Sequence, residues 1–317
     1  MKSLVTSYVP DNPNADKVGN AESISYMPVR ASHTEIHQLR GLTHHVTVWP
    51  AIGTSAKLLW LYHGWMDVGP SFQFVVDELP SDWTIIAPDW RGFGRTGNTG
   101  ADTYWFMDYL ADLDALADVI SPNQALNLVG HSMGGNLVTV YAGVRPDRVH
   151  RLVNLEGMGM AQTQPADAPA RISQWLDEIK TPRRLADYDT AQAVAKRLMT
   201  NNPRLTADKA AFMASHWAQQ SEAGRYVLRA DPQHKGINPY LYRVDETVAC
   251  WSEITAPMLL VVCEHSNERH AFTRTPEYAA RLANIGNLTR ARVDGAGHMM
   301  HHDQPAAVAR LIREFIQ

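Results

Sequence analysis

At 317 residues, with 45% hydrophobic and 20% charged residues, the chain has the size and balance of one large α/β domain with an insertion, or of two domains. A formal net charge of −4 lacks the basic footprint of a nucleic-acid binder, and the apolar stretches are short and broken by charge or proline, so no membrane span is expected. Residues 1–20 hold no sustained apolar run and no small-residue cleavage site, and the cysteines are Cys250 and Cys263, which read as free thiols of a reducing compartment and favour a cytoplasmic protein.

Residues 1 to about 33 are polar, contain Pro and Asn, and read as an extended arm. From Glu35 to Trp49 the pattern predicts two strands turning at Arg40-Gly41. Apolar strand-like runs then alternate with helical patterns. The runs are Leu58–Tyr62, Trp83–Ala87, Ala125–Val129, Val149–Leu155, Met258–Val262 and Leu288–Val293. Continuous apolar runs suit parallel strands covered on both faces. One helix starts with Thr275 as N-cap and Pro276 in its first turn; the last carries Val308, Leu311, Ile312 and Phe315 on one face. Such alternation implies a mostly parallel, doubly wound sheet.

One segment breaks this rhythm. From Gly159 to Trp251 there are helical patterns, over Arg171–Ile179, Ala191–Met199 and Ala207–Gln219, but no buried strand. The expected organisation is an arm over 1–33, a core over 34–158 and 252–317, and an inserted helical lid over 159–251. A lid of this kind shapes a small-molecule pocket.

Gly130-His131-Ser132-Met133-Gly134 fits G-x-S-x-G, between the strand-like LNLV and the helix-like GGNLVTVYAGV. That context is what the motif requires, because a sharp strand-to-helix turn lifts the serine Oγ clear of the sheet. Small residues at 130 and 134 let strand and helix approach the turn, and the helix N-terminus favours developing negative charge. Ser132 is the candidate nucleophile.

Four sections in this order make the chain resemble the α/β-hydrolase superfamily along nearly all of its length after the arm. His63-Gly64-Trp65 follows the first buried strand, as the oxyanion loop does there. Asp89-Trp90-Arg91-Gly92-Phe93-Gly94-Arg95-Thr96 is similar to the family's D-x-R-G-x-G-x-S loop. The GHSMG elbow comes third, and Gly295-Ala296-Gly297-His298 resembles the histidine loop. In style the chain is closest to the lidded members: epoxide hydrolases, haloalkane dehalogenases and serine-hydrolase-like esterases. The first two carry aspartate as nucleophile. Serine instead suits attack on a carbonyl carbon.

Serine needs a base within reach, and the glycine-flanked His298 is the candidate. His301 and His302 are nearby rivals, read otherwise as a solvated start to the last helix. A metal set of His298, His301, His302 and Asp303 has no separate partner motif, and neither metal nor cofactor is expected. The resemblance implies an oxyanion hole of backbone N–H groups from Trp65 and Met133.

The acid departs from the common pattern. The usual Asp slot falls on Ser266, within Cys263-Glu264-His265-Ser266-Asn267-Glu268. A variant in the dehalogenase-like branch puts the acid after the preceding strand, where Glu156 ends the apolar run VHRLVNL. A charge there needs a partner. Glu156 is therefore the assigned acid, with Glu264 as the alternative. Asp89 and Arg91 are expected to fix their loop, Asp67 to line the pocket mouth or sit in solvent, Trp175 and Trp217 to pack between lid helices, and Arg183 and Arg184 to form a solvated face.

The expected activity is hydrolysis of a small carboxylic ester through an acyl-enzyme, by a Ser–His–Glu set. The same residues also suit carbon–carbon bond hydrolysis, lactone opening or peracid formation. A third reading, of another class, is a ligand-binding receptor without turnover. The oligomeric state is not legible.

Overall fold

The structure is a computed structural model that describes residues 9–10, 25–53, 57–157, 159–266 and 268–317. Its strands in chain order are β1 (Val9–Pro10), β2 (His33–Leu39), β3 (Leu42–Trp49), β4 (Leu58–Tyr62), β5 (Thr84–Pro88), β6 (Leu126–His131), β7 (Val149–Leu155), β8 (Asp187–Tyr188), β9 (Ala218–Gln220), β10 (Tyr226–Leu228), β11 (Met258–His265) and β12 (Leu288–Gly297). Among the described residues nine of these form one sheet, ordered β1-β2-β3-β5-β4-β6-β7-β11-β12. Pairing is antiparallel from β1 to β5 and parallel from β5 across β4 to β12.

The continuous apolar runs are explained by burial on both faces. Trp60, Tyr62, Leu128, Leu152 and Leu260 pack on one side with the helices Phe106–Ile120 and Met133–Val144. The alternating residues Leu59, Leu61, Val129, Val153 and Leu259 pack on the other, with Gln73–Val76 and Pro305–Ile316. In that last helix Val308 and Ile312 are buried, and Leu311 and Phe315 pack beside them. Such two-sided cover stabilises a parallel sheet by removing both faces from water.

β2 and β3 turn at Arg40 (φ 52°) and Gly41 (φ 74°), the two left-handed positions of a tight hairpin. Thr275 caps its helix by accepting from Tyr278 N. β11 and β12 run on past their apolar runs, still paired through an irregularity at His265↔Gly297. This extension carries the chain to His298.

Of the expected arm, residues 1–8 and 11–24 lie outside the described residues. Its end is fastened to the core: Arg30 donates to Trp83 O (2.8 Å) and Pro50 O (3.0 Å), and Asp77 accepts from Tyr26 Oη and Arg30 N. No described helix is long and apolar enough to cross a membrane.

The segment between β7 and β11 corrects the all-helical expectation. Helices Ala168–Glu178, Ala191–Asn201 and Ala207–Trp217 are joined by a small antiparallel sheet ordered β8-β10-β9. Its strands are two or three residues long and half exposed, so they carry no apolar run to betray them. The helix Val244–Ser252 leaves this group and packs on Met133–Val144, with Trp251 in the core.

Asp89 and Arg91 fix their loop. Asp89 accepts from Gly69 N and Arg95 N, while Arg91 makes a buried two-pronged pair with Asp112. Asp112→Ala removes the carboxylate that holds Arg91 Nε and Nη2 and leaves the buried guanidinium the longer contact to Asp108 (3.4 Å). A loss of about 3 kcal/mol is expected, read as a lower midpoint in urea unfolding.

Candidate active site

Strand order reverses at β4, which has β5 on one side and β6 on the other. In open α/β sheets, ligands bind beyond the carboxyl ends of the strands at such a point. The loop after β4 carries His63-Gly64-Trp65, and the elbow follows β6.

Ser132 sits between strand and helix at φ 52°, ψ −114°, a conformation that side chains rarely adopt. It is held there by Ser132 N donating to Leu155 O (2.9 Å) and by the following helix, where Asn136 N donates to Ser132 O (3.0 Å). Two glycines permit the turn. A Cβ on Gly130 would lie 2.5 Å from the backbone of Gly134, and one on Gly64 would lie 2.9 Å from His131 Nδ1 and 3.2 Å from Ser132 Cβ. Met133 begins the helix, so its N–H is among those without an intrahelical acceptor. Trp65 lies on the facing loop, its side chain half exposed and its Nε1 donating to His234 O.

His131 pairs with Leu155 across β6 and β7, so Ser132 and Glu156 leave adjacent strands side by side. Glu156 also has a positive φ (55°) and is 1% exposed. His298, on the loop after β12, reaches back over both. Its Nε2 lies 3.0 Å from Ser132 Oγ and its Nδ1 lies 2.7 Å from Glu156 Oε2. A carboxylate only accepts, so Nδ1 carries the proton and Nε2 is left to accept the serine hydroxyl.

The other oxygen of Glu156 accepts from Cys263 N (3.0 Å) and from the Cys263 thiol (2.8 Å). Burial pushes the Glu156 carboxyl up, but the hydrogen bonds from His298 and Cys263 outweigh it and hold the group below its ordinary value. Glu264 is elsewhere: exposed, it accepts from Gly295 N (2.8 Å) and braces the histidine loop from outside.

The floor beneath His298 departs from expectation. His301 and His302 are buried rather than solvated, and Asp67 is 4% exposed rather than at a pocket mouth. Asp67 accepts from Val68 N and the Ser71 hydroxyl, with His301 Nε2 at 3.5 Å. Burial raises that carboxyl, yet the hydrogen bond from His301 outweighs it and holds the group below its ordinary value. The reason is the short turn Met300–Asp303, which points these imidazoles inward, where the His131 and His301 rings meet at 4.3 Å, tilted by 50°. Burial pushes His131 and His302 well below the ordinary imidazole value and keeps them neutral.

Donor atoms of Asp67, His301 and His302 lie within 4.8 Å of one another, the one such group among the described residues. Tetrahedral zinc wants donors about 3.4 Å apart, and Asp67 already has partners. The other metal set is not assembled: His298 faces Ser132, while Asp303 accepts from Gly297 N and Asn202 Nδ2.

Trp217 packs among insert residues beside Val194 and Ala214, as expected, and both it and Trp175 also tie the insert to the core. Trp217 Nε1 donates to Met66 O (2.6 Å) and Trp175 Nε1 to Thr103 Oγ1 (2.7 Å). Arg183 is not simply solvated: it is half buried, pairs with Glu178 and donates to Gln233, while Arg184 is exposed.

Cys263, His131 and the Asp67–Ser71–His301 contacts were not singled out as site residues from sequence. For Cys263 nothing in the run MLLVVCEH marks it, since a thiol ending a buried strand reads as packing.

Because the folded state holds Glu156 below its unfolded value, its ionised form contributes stability above about pH 4.3, and this is lost as pH falls through the folded value. The stability gap between wild type and Glu156→Gln should therefore narrow from pH 6 to pH 3 in urea titrations.

Comparison with known proteins fits this architecture. The model of the alpha/beta hydrolase fold matches residues 57–305. The chain is 25% identical over 265 residues to a serine hydrolase-like protein of Danio rerio, covering 80% of each. It is 26% identical over 266 residues to the 2-(acetamidomethylene)succinate hydrolase of Mesorhizobium japonicum, covering 83% of this chain and 88% of that enzyme. Among solved structures, the thioesterase domain from the curacin biosynthetic pathway superposes with a TM-score of 0.78 at 24% identity, over 89% of this chain and 99% of that domain, a likeness of fold. With the family model spanning most of its length, the chain belongs to the α/β-hydrolase fold family.

Proposed function

We propose that the protein is a serine hydrolase that cleaves a small carboxylic ester through an acyl-enzyme, with Ser132 as nucleophile, His298 as base and Glu156 as acid. The observation that carries this reading is one imidazole spanning 3.0 Å to a strained serine and 2.7 Å to a buried carboxylate. Turnover is further supported by the strand-to-helix turn that presents Ser132 Oγ above the sheet.

In this mechanism Ser132 Oγ attacks the carbonyl carbon as its proton passes to His298 Nε2. The N–H groups of Met133 and Trp65 receive the developing oxyanion. Glu156 keeps Nδ1 protonated and stabilises the imidazolium without taking its proton. His298 then gives the proton to the departing alkoxide, leaving the acyl group on Ser132. Water, deprotonated by His298, attacks that ester and releases the carboxylic acid, and Ser132 regains its proton. No step calls for a metal or cofactor. The same residues suit lactones, carbon–carbon bonds or peracid formation, and an ester panel set against ring-cleavage substrates separates these.

The segment 159–251 is proposed as the cap over this site, tied down by Trp175 and Trp217. The names of two relatives, serine hydrolase-like protein and 2-(acetamidomethylene)succinate hydrolase, support a hydrolytic reaction. The free thiols Cys250 and Cys263 favour assignment to the cytoplasm.

Treatment with a fluorophosphonate should raise the intact mass by one adduct, and Ser132→Ala should abolish it. Glu156→Gln should lower kcat on p-nitrophenyl esters about 10³-fold or more. Glu264→Gln should stay within about twofold, because its carboxylate meets Gly295 rather than His298. A folded wild-type protein that takes no label overturns the proposal.

A further inference from the structure

We propose that Cys263 is a positioning residue: its thiol, together with its own backbone N–H, clamps one oxygen of Glu156 so that the other is aimed at His298. The inference rests on the catalytic reading above and adds to it a residue from β11 that the chemistry itself does not consume.

Sheet register explains the arrangement. β7 and β11 run parallel with Leu155 opposite Val261, and Glu156 N donates to Val261 O (3.0 Å). Cys263 is two residues further on, so it shares the face of Val261 and Leu259 and packs in the same core cluster as Leu155. Its N–H and its thiol therefore arrive together at Glu156 Oε1, at 3.0 and 2.8 Å. Oε2 is engaged by His298 Nδ1 at 2.7 Å.

Rotation of the carboxyl group would exchange its two oxygens and break three bonds at once. A glutamate is one methylene longer than an aspartate and has one more torsion to hold. In the usual arrangement the acid follows the strand after the insert. Here that strand supplies the donors instead of the acid.

The thiol is built for donation. Burial, then the hydrogen bond to Glu156, push it far above the ordinary thiol value, so it stays protonated throughout the working range. A thiolate there would face a carboxylate. Among the described residues, titratable groups bearing on the pair include His298 on the loop after β12, Tyr278 at the start of its helix, and Asp303 on the turn beneath.

Removing the S–H donor leaves more charge on Glu156, which then holds the protonated imidazole more firmly. The inactive imidazolium persists to higher pH, so the acid limb of the pH–rate profile moves up. The test compares Cys263→Ser, Cys263→Val and Cys263→Ala with wild type. Serine keeps a donor. Valine keeps the volume and apolar packing without one. Two readouts are taken: the pH profile of p-nitrophenyl acetate hydrolysis, and the low-field proton resonance of His298 Nδ1, identified by its loss in Glu156→Gln.

The expected result is an acid limb raised by about half a pH unit or more in Val and Ala, with kcat lowered about threefold to tenfold, and a shifted or broadened resonance. Serine should match wild type in both. If valine also matches wild type, or if serine and valine are displaced equally, the thiol acts through packing and the proposal is wrong. A wild type that takes no fluorophosphonate, but whose resonance still responds to Cys263→Ala and not to Cys263→Ser, refutes acyl transfer while upholding the clamp.

Discussion

A carboxylate that is almost wholly buried at the end of a parallel strand is costly unless charge and hydrogen bonds meet it, and Glu156 is met on both oxygens. Satisfying it requires three strands to end in register. β7 delivers the glutamate, β11 delivers the N–H and thiol of Cys263, and the extended β12 delivers His298. Any slip of β11 against β7 would leave a lone buried charge, so the sheet's register and the site's geometry enforce each other. Ser132 joins because β6 lies directly beside β7.

Positive φ at both Ser132 and Glu156 has the same origin. Each ends a strand that must turn sharply while its side chain points up from the sheet. Ser132 is held by its N–H bond to Leu155 and by the helix behind it; Glu156 is held by its bond to Val261. Strain of this size, of order 1–3 kcal/mol per residue, survives only where the surroundings fix the backbone. The tightly packed glycines around Gly130 serve that purpose.

Insert and core are joined by direct contacts. Phe93 bridges to Ala230, and His234 stacks between Phe93 and Tyr104 at 3.7 Å from each ring. Below, the imidazoles of His131, His301 and His302 and the Asp67–Ser71 pair give His298 a rigid floor. An imidazole held from below and beside keeps its orientation toward Ser132 and Glu156.

What the sequence alone determined was whatever depends on local pattern. Apolar runs announced the strands, and burial on both faces made those runs unbroken; G-x-S-x-G between strand and helix announced the elbow, because only small residues fit that turn. Glu156 was legible as a charge ending an apolar run. Yet the choice between Glu156 and Glu264 lies in which carboxylate meets Nδ1 of His298, and that depends on strand order over more than a hundred residues. The short strands β8 to β10, the inward turn of His301 and His302, and the thiol on Glu156 were decided by tertiary structure alone. Each is a pairing between segments distant in the chain, whose energy comes from burial and register, and neither leaves a mark on local composition.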